Sequence, residues 1–162
     1  GMVSTEQFTQ AAEELSPTLY RVCVSILHHA QDAQDAAQET LVKAWAKRHT
    51  LRADTMRAYL VRIAINECRN IQRHRMRQTP VEHLPEQGAP SGGHDLDLRR
   101  QIDALPETLR LPILLYYMEG WNDRMIASAL GVTAVAVRSR LSRARKRMKH
   151  MLEQEQAKGE AP

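Results

Sequence analysis

Residues 121–151, WNDRMIASALGVTAVAVRSRLSRARKRMKHM, decide the fold. Val137, Leu141, Ala144, Met148 and Leu152 recur at three- and four-residue intervals, so they form one apolar stripe along a helix, and that stripe is expected to face protein. Around it stand Arg138, Arg140, Arg143, Arg145, Lys146, Arg147 and Lys149, with no acidic residue between Val132 and His150. Like charges three and four residues apart repel by a few tenths of a kcal/mol per pair, roughly. A polyanionic partner removes that cost. Upstream, Ile126, Ala127 and Leu130 give a shorter helix its buried side, Gly131 supplies the left-handed residue that ends it, and Thr133 can cap the next. Two helices joined by a glycine turn make a helix-turn-helix. In such units the start of the second helix enters the major groove, which brings Arg138, Ser139, Ser142 and Arg143 nearest to bases or phosphates.

The chain has 162 residues and a formal net charge of +4, enough for one medium domain or two small ones. Charge is polarised: acids cluster before Lys43, while arginines crowd residues 69–77 and 138–147. Two basic patches predict two contacts with an anionic partner. Aromatics make up only 4% and alternating β-branched runs are absent, so the chain is expected to be all-α. Cys23 and Cys68 are far apart, without metal-ligand spacing, and read as small buried hydrophobes in a reducing cytoplasm. No metal site, cofactor, membrane insertion or secretory leader is expected. Nor is catalysis, because a glycine-rich phosphate loop, HExxH and nucleophile motifs are all missing.

Residues 3–30 read as a helix pair broken near Ser16 and Pro17, with Leu19, Val22, Cys23, Ile26 and Leu27 buried and His28 and His29 on the surface. The next helix, residues 32–48, buries Ala33, Ala37, Leu41, Ala44 and Trp45 and leaves Asp35, Gln38, Glu39 and Lys43 outside, a candidate binding face. Residues 49–55, HTLRADT, form a polar loop. From Met56 a long helix buries Tyr59, Leu60, Ile63, Ala64, Cys68 and Ile71 and turns Arg62, Arg69, Arg73, Arg75 and Arg77 outward, with no balancing acid near its end. Residues 79–95, rich in proline and glycine, cannot hold a core and form a flexible linker reaching on the order of 55 Å. Beyond it come a short helix at residues 96–105, a first-turn Pro106, and a kink or fresh helix start near Pro112. Ile113, Leu114, Tyr117 and Met118 are expected to support the helix-turn-helix, and the tail after Glu155 to fray.

DAQDAAQETLVKAW followed by RAYLVRIAINECRNIQRHR resembles region two of bacterial extracytoplasmic-function sigma factors, and ALPETLRLPILLYYMEGWNDRMIASALGVTAVAVRSRLSRARKRM resembles their region four. The two blocks, in this order and across a linker, cover most of the chain outside the linker and termini. The resemblance implies two helical domains, residues 3–78 and 96–155, in an initiation subunit of RNA polymerase that reads the minus 10 and minus 35 promoter elements. Asp35, Gln38 and Glu39 match the family's contact with core polymerase. Residues 49–55 and the following helix, with Asn66 in the IAxN position and arginines Arg62, Arg69 and Arg73 nearby, match the part that melts the minus 10 element and holds an extruded base. Extruding a base costs roughly a few kcal/mol, which a preformed pocket and adjacent cations must return. Arg138, Ser139, Ser142 and Arg143 match the minus 35 contacts. An anti-sigma protein is implied as a further partner. Departures from the family's pattern are Tyr59 in place of Trp, Ala36 and Ala37 in place of a bulkier pair, and Ala136 in place of Thr. Two other functions fit parts of the chain: a stand-alone helix-turn-helix regulator, which would leave the acidic helix idle, and a decoy that sequesters a regulator, which would have eroded basic residues.

Overall fold

A computed structural model describes residues 2–78 and 94–160. The described residues are helical throughout, and the only strand-like feature among them is a single antiparallel bridge between Met2 and Arg52. They form two compact units. The expected linker, residues 79–95, falls almost wholly outside the described residues.

The first unit is a bundle of α1 (Thr5–Leu27), α2 (Ala30–Ala46) and α3 (Met56–Arg77), each packed on the other two. Helix α1 opens with a capping box: Ser4 Oγ accepts from the Gln7 amide at 3.1 Å, and Gln7 Oε1 accepts from the Ser4 amide at 2.9 Å. It is one continuous helix, not the expected broken pair. Pro17 removes one hydrogen bond to the Glu13 carbonyl, but both residues lie on the exposed side, where water can satisfy the carbonyl. The buried stripe runs past the proline without a gap through Phe8, Ala11, Leu15, Leu19, Val22 and Ile26, and packing of that stripe keeps the helix whole. His28 and His29 are more than surface residues. His28 ends α1 in the left-handed conformation, φ 52°, and His29 Nδ1 caps α2 by accepting from the Asp32 amide at 3.2 Å.

Helix α2 buries Ala33, Ala36, Ala37, Thr40 and Ala44. Small side chains there let it lie close to its neighbours, and the Thr40 hydroxyl is satisfied within the helix by the Ala36 carbonyl at 2.7 Å. Leu41 is half-buried and Trp45 is 39% exposed, so neither belongs to the core as the periodicity implied. A short 3₁₀ turn, Arg48–Thr50, follows, and Leu51 is buried, which pins the polar loop to the bundle. In α3, Leu60, Ile63, Ala64 and Cys68 are buried as expected, Tyr59 and Ile71 are only half-buried, and Val61 and Glu67 join the core. The arginine-rich end of α3 has one balancing acid after all, Asp32 of α2, which pairs with Arg75, while α3's own Glu67 pairs with Lys43 of α2. These partners come from a different helix, out of reach of a reading that scans neighbours along one helix.

The second unit contains α4 (His94–Asp103), α5 (Glu107–Ile113), a π-helical turn (Leu114–Met118), the start of α6 (Asp123–Leu130) and α7 (Ala134–Glu160). Pro106 is the N-cap of α5 and not its first helical residue. Pro112 lies inside α5, and two residues later the hydrogen-bond register widens into the π-helical turn, the irregularity expected near this proline. Gly120, at φ 70°, and the Trp121 amide, which donates to the Leu115 carbonyl at 3.1 Å, close that turn and bury the Trp121 ring. Ile113, Leu114 and Leu115 enter the core, whereas Tyr117 and Met118, expected there, are exposed because the wider turn rotates them outward. Arg110 is buried with its guanidinium donating to the Leu105 carbonyl at 2.9 Å, and burial pushes its pKa below the usual arginine value.

Candidate nucleic-acid interface

Three surfaces carry the residues singled out in the sequence. On α2, Asp35, Gln38 and Glu39 are all exposed and fall on one side, opposite the alanine face. Gln31 donates to Asp35 at 3.0 Å, an ordinary link within one helix. Val42, 60% exposed, adds an apolar spot to the same face. Beside it runs a groove of about 570 Å³ between α1 and α2, lined by Phe8, Thr9, Ala12, Glu13, Leu41 and Trp45. The Trp45 ring meets Phe8 edge-on at 5.3 Å and carries the Arg48 guanidinium over its face at 4.0 Å. Sequence reasoning missed this groove because it gave Trp45 to the core. A tryptophan near the end of an amphipathic stripe of alanines was the available signal.

On α3, Arg62, Asn66, Arg69 and Arg73 are spaced four, three and four residues apart, which stacks them along one side. Arg62, Asn66 and Arg73 are exposed, and Arg69 is half-buried with its guanidinium donating to Gln72 at 3.2 Å. Arg73 donates to Asn70. The preceding loop is ordered by its own turns: the Thr50 hydroxyl donates to the Lys47 carbonyl at 2.8 Å, the Thr55 amide to the Arg52 carbonyl at 3.2 Å, and Arg52 approaches Asp54 at 3.6 Å. Lys43 pairs with Glu67 of α3, and that hydrogen bond raises its pKa.

On α7 the division of faces matches the sequence. Val137, Leu141, Ala144 and Met148 are buried against α5 and α4, while Arg138, Ser139, Ser142 and Arg143 are exposed within one arc of the helix. Leu152 departs from the stripe at 45% exposure. A ten-residue and a seven-residue helix cannot cover one of 27 residues, so the packed part of α7 ends near Met148. The helix nonetheless continues to Glu160, past the point where fraying was expected, and its end is rich in helix formers. The turn before it is built as read: Gly131 takes φ 69°, the Val132 amide donates to the Ala127 carbonyl at 3.1 Å, and Thr133 Oγ1 accepts from the Ala136 amide at 3.1 Å. Asn122 caps α6 in the same manner, accepting from the Met125 amide at 2.9 Å.

Not every cation on α7 is equivalent. Arg145 donates from Nε to the Tyr117 hydroxyl at 3.2 Å and lies over the Tyr116 and Tyr117 rings at 5.2 and 5.8 Å; that hydrogen bond raises its pKa further. Arg138 approaches Asp123 of α6 at 3.6 Å. Neither partner was foreseen. Among the described residues, no group of three or more His, Cys, Asp or Glu side chains could hold a metal ion, and no helix is long and apolar enough to cross a membrane. Exposed guanidiniums in register on a helix whose other side is anchored can bind phosphates and base edges, and do no bond chemistry.

Comparison with known proteins agrees with this geometry. Family models described as Sigma-70 region 2 and Sigma-70, region 4 match residues 11–78 and 95–148. The RNA polymerase sigma-H factor of Pseudomonas aeruginosa is 34% identical over 142 residues, covering 75% of this chain and 74% of that protein. The ECF RNA polymerase sigma factor SigL of Mycobacterium tuberculosis is 31% identical over 140 residues, covering 80% and 79%. In a co-crystal with the anti-sigma factor NepR from Bartonella quintana, the sigma factor RpoE superposes with a TM-score of 0.76 at 27% identity, over 92% of this chain and 98% of that one. The chain therefore belongs to the sigma-70 family of RNA polymerase sigma factors, transcription initiation factors and not enzymes, in its extracytoplasmic-function group.

Proposed function

We propose that this protein binds core RNA polymerase and directs it to promoters by contacting two separate elements of one duplex. Domain one, residues 3–78, grips the polymerase through Asp35, Gln38 and Glu39 and opens the minus 10 element with the loop at residues 49–55 and with Arg62, Asn66, Arg69 and Arg73. Domain two, residues 96–155, reads the minus 35 element with Arg138, Ser139, Ser142 and Arg143. The linker, residues 79–95, spans the distance between them. The protein works in the cytoplasm, carries no cofactor and performs no catalysis of its own. An anti-sigma protein restrains it, a reading supported by likeness to a sigma factor crystallised with one.

The observation that carries this reading is the two-sided character of α7: a stripe buried in its own unit, and an opposite face of exposed cations with no acid of its own between Val132 and His150. A row of like charge on an anchored helix, with no acid within the row itself, favours a polyanion, whose binding is driven by the release of its counterions. The exposed acidic face of α2 supplies a contact that DNA would repel, which favours a protein partner there. Run-off transcription with core polymerase tests the reading. The wild-type chain should support promoter-specific transcripts, and Gln38→Ala with Glu39→Ala should abolish them while the fold, followed by circular dichroism, is kept. Transcription unchanged by the double substitution would refute the assigned contact.

A further inference from the structure

Arg138 stands in the second turn of α7 with its side chain 58% exposed, and the carboxylate of Asp123, 31% exposed, sits 3.6 Å from one of its terminal nitrogens. An ion pair this open contributes little to stability. Its placement matters more than its strength. Asp123 is the acid that α6 brings to the basic face of α7, and it does so at one of the guanidiniums expected to meet DNA. A carboxylate there repels phosphates, which makes it a liability for a surface built only to hold a duplex backbone.

We propose that Asp123 is a specificity-determining residue that acts through Arg138. The carboxylate lies within ion-pair range of one terminal nitrogen but beyond hydrogen-bond length, so its attraction draws that side of the guanidinium toward α6 and leaves the remaining donors to meet the edge of a base. The same carboxylate offsets the charge that would otherwise attract any phosphate. Arg138 thus becomes a base reader whose contribution to non-specific binding is damped, in contrast to Arg145, which the Tyr117 hydroxyl and two rings hold in another way. This inference rests on the minus 35 assignment of α7.

The test uses the full chain assembled with core polymerase, and a promoter selected by the wild-type protein from a random library. Binding to that promoter and to a copy with a scrambled minus 35 element is measured across a salt series for wild type, Asp123→Asn, Asp123→Glu, Arg138→Ala and the Asp123→Asn/Arg138→Ala double variant. Asp123→Asn should bind the scrambled DNA more tightly, with a slope of log affinity against log salt steeper by about one. The ratio of matched to scrambled affinity should fall roughly fivefold or more, as expected when one base contact is loosened. Asp123→Glu should restore most of that ratio, and in the Arg138→Ala background Asp123→Asn should leave it unchanged. The proposal is overturned if Asp123→Asn keeps the wild-type ratio, or if its effect is the same with and without Arg138, which would mark general repulsion or a weakened start of α6. A wild-type chain that selects no minus 35 sequence would remove the minus 35 assignment of α7 and this inference together.

Discussion

Replacing Pro17 with alanine should stabilise the first unit. Proline in a helix interior costs about 3 kcal/mol relative to alanine, through the lost amide hydrogen bond and the clash of its ring with the preceding turn. Part of this is already relieved in α1, because Pro17 and Glu13 are both on the exposed side and the orphaned carbonyl can be hydrated. Alanine also restores conformational freedom to the unfolded chain, which takes back about 0.4–1 kcal/mol. A net gain of about 2 kcal/mol remains, and at about 4–8 °C per kcal/mol for a small domain it raises the melting point by roughly 10 °C. The two tryptophans make the assay specific: Trp45 belongs to the first unit and Trp121 to the second. In a Trp121→Phe background, urea and thermal melts followed by tryptophan fluorescence report the first unit alone. A transition at or below the parent's would refute the reasoning, because it would mean that α1 depends on a bend at Pro17 and that the continuous helix is not the stable form.

Leu141→Ala should destabilise the second unit by about 2–5 kcal/mol, since Leu141 is almost wholly buried, while leaving the Trp45 transition in place. Arg143→Ala should weaken binding to the minus 35 element by about 1–3 kcal/mol and relax preference at one base pair if it meets a guanine; uniform weakening across sequences in a binding titration would mark a phosphate contact instead. The Lys43–Glu67 pair makes stability depend on alkaline pH. Because the folded state raises the Lys43 pKa, its contribution is fully present below the ordinary lysine value of 10.5 and is lost as pH rises through the folded value. The urea midpoints of wild type and Lys43→Met should therefore converge as pH is raised from 9.5 toward 12, and a constant gap would contradict the pairing. The side chain of Lys43 is 45% exposed, so solvent screening keeps the effect small.

The helix-turn-helix was legible in the sequence because everything that defines it is local: a glycine forced to positive φ, a threonine three residues before the amide it caps, and a stripe of apolar residues at helical spacing. The outward position of Asp35, Gln38 and Glu39, and of Arg138, Ser139, Ser142 and Arg143, followed from the same periodicity. Such arguments fail where a residue's fate depends on the length or reach of another element. Leu152 continues the stripe of α7 in perfect spacing and is exposed all the same, because α4 and α5 are too short to cover it. Tyr117 and Met118 turn outward because the helix around them widens after Pro112. Trp45 has the spacing of a core residue and instead borders a groove, held edge-on by Phe8 from a distant helix.

By itself, then, the amino-acid order determined the helical class, the turn and the faces along each helix, since periodicity and capping act over a few residues. Tertiary structure alone decided which charges are spoken for. Asp32 takes Arg75, Glu67 takes Lys43, Tyr117 takes Arg145 and Asp123 takes Arg138, each from a separate element. An arginine's availability to DNA is set by what lies within a few ångströms of its guanidinium, and that distance exists only once the helices have packed.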